Sequence, residues 1–158
     1  MKMDIQISCR SQLKRDILEE LAQAYTVLLK LDKNPKSVII TTRKDVNSAF
    51  NADGFASEYG GHYYIFLQSS LPADRLARIL AHEMVHVKQF VRGHLKIKPY
   101  KKGYEHFWMG KLTKNKYLDR PWEVEAYSKE SLLMHRALEL IRSKYGNQKN
   151  SKSKTKRK

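Results

Sequence analysis

Between Pro72 and Gly93 the chain carries a pattern that only a helix enclosed on most of its circumference can satisfy. At 3.6 residues per turn, Ala77, Leu80, Met84, Val87 and Val91 fall on one apolar stripe. Asp74, Arg78, Lys88, Gln89 and Arg92 form a polar strip elsewhere on the helix. His82, Glu83 and His86 occupy the remaining arc with Ile79 and Phe90, turned away from that strip. Pro72 suits the first turn, Asp74 the positive end of the helix dipole, and Gly93 a stop. The pattern therefore predicts a helix from about Pro72 to about Arg92. An inward carboxylate and two inward imidazoles must find partners, because a buried polar group without one is costly.

The flanking segments supply a frame for this helix. Residues 11 to 31 read as an amphipathic helix capped by Ser11, with Leu13, Ile17, Leu21, Ala24 and Leu28 at helical spacing and Asn34-Pro35 beyond its end. The β-branched run Ser37 to Thr42 reads as a strand. Residues 54 to 58 and 62 to 67 read as two more, joined by a hairpin through Gly60-Gly61. Residues 94 to 120, rich in Lys and aromatic residues, read as irregular. A third helix is expected from Pro121 to about Tyr145, ended by Gly146. The order predicts an α+β domain over residues 1–147, with a small, mostly antiparallel sheet.

Charge separates this domain from the C-terminal residues. The net charge is +15, of which the last ten residues supply six, leaving +9 on the rest. Residues 148–158 have nothing to bury and read as a disordered basic tail. The lone Cys9 excludes an internal disulfide and a cysteine-built metal cluster. No run approaches the roughly 20 apolar residues of a membrane span, and the first residues lack a signal-like apolar stretch, so the expectation is a soluble, cytoplasmic protein with no membrane partner.

His82-Glu83-Met84-Val85-His86 matches His-Glu-x-x-His, a known zinc-protease signature. Its chemistry follows from spacing. Histidines four apart lie on one helix face and can reach one ion, while Glu83 beside them can take a proton from water held there. By composition the pattern would arise by accident in roughly one chain of this size in a few hundred. A catalytic zinc needs a third protein ligand. The extended motif would require Gly at 89 and His at 92, where Gln89 and Arg92 stand, and His94 is off that spacing. Glu123 shares a helix face with Ala126, Tyr127, Met134, Ala137, Leu138 and Ile141, whereas Glu125 points the other way. Glu123 is therefore the expected third ligand, with Glu130 as its rival for that role or as an outer partner of a ligand.

Taken with Trp122-Glu123-Val124-Glu125-Ala126, the motif resembles the gluzincins, and in particular the small one-domain metallopeptidase-like proteins common in bacteriophage genomes. The match covers residues 79 to 91 and 121 to 127. The resemblance implies a minimal zincin-like fold holding one Zn(2+) per chain on His82, His86 and Glu123. It also implies Glu83 as general base and a peptide or protein as substrate. The family's usual Asp, which orients a ligand histidine, is replaced here by Tyr127, so a phenol or another group must do that work. The resemblance further implies an edge strand that holds substrate by strand addition, which places Tyr63, Tyr64 and Ile65 as substrate-binding residues; a core strand is the competing reading. Tyr127, His106 and Tyr104 are candidates for oxyanion stabilisation.

A second class of function competes. Lys96, Lys98, Lys101, Lys102, Lys111, Lys114 and Lys116 interleave with Tyr100, Tyr104, Phe107, Trp108 and Tyr117, a composition suited to phosphate contact and base stacking. With the basic tail, it admits weak nucleic-acid binding around a structural or vestigial zinc site. It also admits a protease that acts on DNA-bound proteins.

Overall fold

The computed structural model describes residues 2–101, 103–115 and 117–155, and of these the side chains of 118 and 147–155 are not described. The fold is α+β, as expected. In chain order the elements are β1 (Asp4–Ser8), α1 (Gln12–Leu28), β2 (Ser37–Arg43), the short α2 (Val46–Phe50), β3 (Gly54–Tyr59), β4 (His62–Gln68) and α3 (Ala73–Val91). Then follow β5 (Leu95–Tyr100), β6 (Gly103–Trp108), β7 (Lys111–Thr113), a 3-10 turn (Tyr117–Asp119) and α4 (Pro121–Thr155).

The first sheet has the order β1-β2-β4-β3. Its β1–β2 and β2–β4 pairs are parallel and only the β3–β4 hairpin is antiparallel, so this sheet is mixed rather than mostly antiparallel. The reason is connectivity: α1 returns the chain between β1 and β2, which leaves them running the same way. The hairpin itself turns as its glycines predict, with Gly60 and Gly61 both at positive φ (58° and 80°).

Val38, Ile40, Tyr63, Ile65 and Leu67 present one buried sheet face to the helices. Helix α1 is capped by Ser11, whose hydroxyl accepts from the Lys14 amide at 3.3 Å; its C-cap is Leu29, followed by Lys30 in the left-handed region, ahead of Asn34-Pro35. The Tyr25 hydroxyl, buried in the core, donates to the Ala77 carbonyl at 2.7 Å and ties α1 to α3. Helix α4 packs across both α1 and α3.

Two further expectations require correction. Residues 94–120 are not irregular: most of them form a second, three-stranded antiparallel sheet in the order β5-β6-β7. Nor does α4 end at Gly146, since the helix continues to Thr155. One glycine costs a helix about 1 kcal/mol, which does not by itself break it. The expected disordered tail, 148–158, lies outside the residues whose side chains are described, and 156–158 lie outside the described residues altogether. No described helix is long and apolar enough to cross a membrane.

Candidate metal centre

Helix α3 brings His82, Glu83 and His86 into the interior at 6%, 5% and 6% exposure, and the first turn of α4 brings Glu123 against them at 6%. The Nε2 atoms of the two histidines stand 3.2 Å apart. Glu123 Oε2 is 3.0 Å from His82 Nε2, and Glu123 Oε1 is 3.3 Å from His86 Nε2. Ligand atoms of His82, His86 and Glu123 all lie within 4.8 Å of one another, and this is the only such His/Cys/Asp/Glu group among the described residues. The triad can hold a metal ion.

The donor chemistry fits a cation. His82 Nδ1 is 2.8 Å from Glu130 Oε2, and an ionised carboxylate can only accept, so the hydrogen sits on Nδ1 and Nε2 is a bare lone pair. That lone pair points at the Glu123 carboxylate and the second imidazole. Electron pairs converging at this range in a buried site require a positive charge among them, either a proton or a metal ion. Without metal, protons fill the role. Burial works against a charge on His86, but hydrogen bonding to Glu123 and the nearby Glu83 outweigh it and raise its pKa to about 9. His82 is raised in the same way. Burial pushes Glu123 up, yet hydrogen bonds to both histidines win and hold it at about 2.

Glu83 differs from Glu123. Desolvation dominates and raises its pKa, with the neighbouring Glu123 and Glu130 carboxylates adding to the effect and the histidines opposing it. Its carboxylate opens onto two cavities that meet at the centre. One, of about 520 Å³, is lined by Asp53, Arg75, Arg78, His82 and Glu130 among others. The other, of about 250 Å³, has a mixed wall, with Phe55, Phe90, Leu95 and Ile97 on one part and His86, Arg120 and Glu123 on another. Gly54, Glu83 and Tyr117 line both.

The remaining expected residues divide clearly. Glu130 is the outer partner of His82 that the departure at Tyr127 called for. Tyr127 is instead half exposed, with its ring edge-on to His82 at 4.5 Å between centroids. His106 lines the smaller cavity and stacks on Trp122 at 5.2 Å, whereas Tyr104 is 72% exposed and lines neither cavity. The edge-strand premise for Tyr63, Tyr64 and Ile65 does not hold, and the competing core-strand reading does. Strand β4 is paired on both sides, and Tyr63 and Ile65 are core residues. The edge strands of this sheet are β1 and β3, and β3 is the one that packs against α3. Because the Gln68 amide donates to the Asp53 carbonyl at 2.9 Å, the alternation of an antiparallel pair leaves the backbone groups of Gly54, Ala56 and Glu58 facing outward.

Three residues escaped the sequence reading. Gln89 was assigned to the polar strip but is 1% exposed; its side chain bonds His86 Nδ1 at 2.8 Å, the Trp122 carbonyl at 3.0 Å and Glu125 at 3.2 Å. Its signal was position, three residues after His86 on the same side of a helix. Tyr117 is 45% exposed as a residue, yet it lines both cavities, and desolvation followed by the neighbouring Glu123 raises its pKa, so its phenol keeps its hydrogen. Gly54 lies on β3 directly beneath Glu83. No single motif marked either of these two.

Of the interleaved lysines and aromatics, Lys98 lies over the Phe107 ring at 5.1 Å and Lys101 over Tyr100 at 5.3 Å, while Trp108 and Trp122 face one another inside. No protein-family model, curated protein or solved structure matches the chain.

Proposed function

We propose that the protein is a zinc-dependent peptidase whose metal is held by His82, His86 and Glu123. The observation that carries this reading is the convergence of two imidazole nitrogens and one carboxylate beside a separate buried carboxylate, at the meeting point of two cavities. Two nitrogens and one oxygen suit zinc, and a three-residue set leaves a position open for water. When bound, zinc would supply a Lewis acid and lower the pKa of its water toward about 7.

The chain's own residues do the rest. Glu83, with its raised pKa, takes the proton of the attacking water and passes it to the leaving amine. The Tyr117 phenol, protonated and opening on both cavities, donates to the oxygen of the carbonyl under attack. An extended peptide adds to the free edge of β3 through the outward groups of Gly54, Ala56 and Glu58, which carries it past Glu83.

The test is zinc content by elemental analysis together with cleavage of a mixed peptide library, on wild type and on Glu83→Gln. Wild type should hold about one zinc and cleave; Glu83→Gln should hold the same zinc and lose about 10²–10⁴-fold in rate. Metal-free wild type, or a Glu83→Gln variant that cleaves normally, would sink the proposal.

A further inference from the structure

We infer that Gln89 is a positioning residue for the metal centre: it fixes the hydrogen of His86 on Nδ1 and thereby turns the Nε2 lone pair toward His82 and Glu123. The inference rests on the metal-centre reading and adds a residue that no ligand motif contains.

The two ends of a carboxamide have nearly the same shape, so its direction is set by its neighbours. Gln89 Nε2 stands 3.0 Å from the Trp122 carbonyl oxygen and 3.2 Å from Glu125 Oε1. A carbonyl can only accept, and so can an ionised carboxylate, so the NH2 group must face them. That leaves Gln89 Oε1 at 2.8 Å from His86 Nδ1. An amide oxygen cannot donate, so the hydrogen of this pair is on the imidazole.

The contrast with His82 shows why this matters. Its partner, Glu130, is an acceptor whichever way it turns. His86 has a neutral partner that could work in either direction. A reversed amide would donate to Nδ1, move the imidazole hydrogen to Nε2, and aim it into the centre where a cation must sit. The Trp122 carbonyl prevents this reversal. Trp122 directly precedes Glu123, so docking of the first turn of α4 delivers the third ligand and orders Gln89 in one event.

The test uses the full chain labelled with 15N at histidine. Metal-free protein in alkaline buffer, where the imidazoles are neutral, would be read by long-range proton–nitrogen correlation. Wild type should show the His86 hydrogen on Nδ1. Gln89→Met, close in volume but without an acceptor there, should lose that preference; Gln89→Glu should keep it. Zinc affinity by chelator competition should fall about 10- to 100-fold in Gln89→Met and return toward wild type in Gln89→Glu. A wild-type hydrogen on Nε2 overturns the inference, as does a Gln89→Met variant unchanged in both readouts. Should Gln89→Met not fold, the wild-type and Gln89→Glu spectra still decide. Wild type that shows the Nδ1 hydrogen yet binds no zinc would leave the assignment of Gln89 standing while removing the metal reading.

Discussion

A Cβ on Gly54 would stand 2.9 Å from Glu83 Oε1 and 2.6 Å from Ile79 Cγ2. The strand and helix α3 are thus as close as a hydrogen at Gly54 allows, and the buried carboxylate rests on bare backbone. Gly54→Ala must push β3 away or turn Glu83 aside. The expected cost is about 1–3 kcal/mol in urea unfolding, the range for overpacking. Zinc content should be unchanged and turnover should drop by at least about tenfold, since misplacing a base disrupts its alignment. Full turnover in Gly54→Ala would show that Glu83 does not need its present position.

Acidity shifts of opposite sign predict a stability optimum for the metal-free protein. His86 rises from 6.5 to about 9, so its contribution is complete below 6.5 and is lost as pH climbs through 9. Glu123 falls from 4.5 to about 2, so its contribution is complete above 4.5 and is lost as pH drops through 2. The Tm attributable to this pair should peak between those windows and decline on both sides; Glu123→Gln should flatten the profile. Zinc must displace the proton on His86, so uptake at neutral pH should release protons and affinity should rise with pH toward 9. A pH-independent affinity would contradict the shift.

Glu130 and Tyr127 make separable contributions. Glu130→Ala removes the acceptor on His82 Nδ1 and should weaken zinc binding about 10- to 100-fold. Tyr127→Phe keeps the ring beside His82 and should leave affinity unchanged. Calorimetric titration of both variants checks this, and a reversed order would assign the outer contact to the phenol.

Strand β4 should behave as core. Ile65→Ala leaves a cavity at a fully buried position and should cost about 2–5 kcal/mol in urea, with KM for any cleaved peptide unchanged. A raised KM without loss of stability would return β4 to the substrate.

The helices and their inward polar groups were legible because their signals are local. Ser11, Pro121 and the apolar spacing of α3 each act within a few residues; a helical wheel of α3 places His82, Glu83 and His86, and one of α4 places Glu123. Strand β1 was not legible: its five residues pair with Ser37–Thr41 across a whole helix, a partnership that no short window contains. The β5–β7 sheet was hidden by its turn chemistry. Pro99 discourages a strand reading, and β6 turns into β7 through Met109-Gly110, both at positive φ (50° and 83°), without the usual Asn or Asp. Gln89 was placed in solvent because a wheel registers its polarity, whereas its burial depends on the Trp122 carbonyl, which only tertiary packing brings near.

The groups assigned to holding metal sit on α3 and α4, and the whole β5–β7 sheet lies in the segment between His86 and Glu123. A bound ion would therefore act as a clasp on that segment, fastening both of its ends at a single point. Lengthening a flexible loop closed in this way costs little, about 0.6 kcal/mol for each doubling. Leu95, Ile97 and His106, which wall the smaller cavity, are thus carried on the segment bracketed by the two donor helices. The same two helices could serve a series of clefts that differ in what they admit.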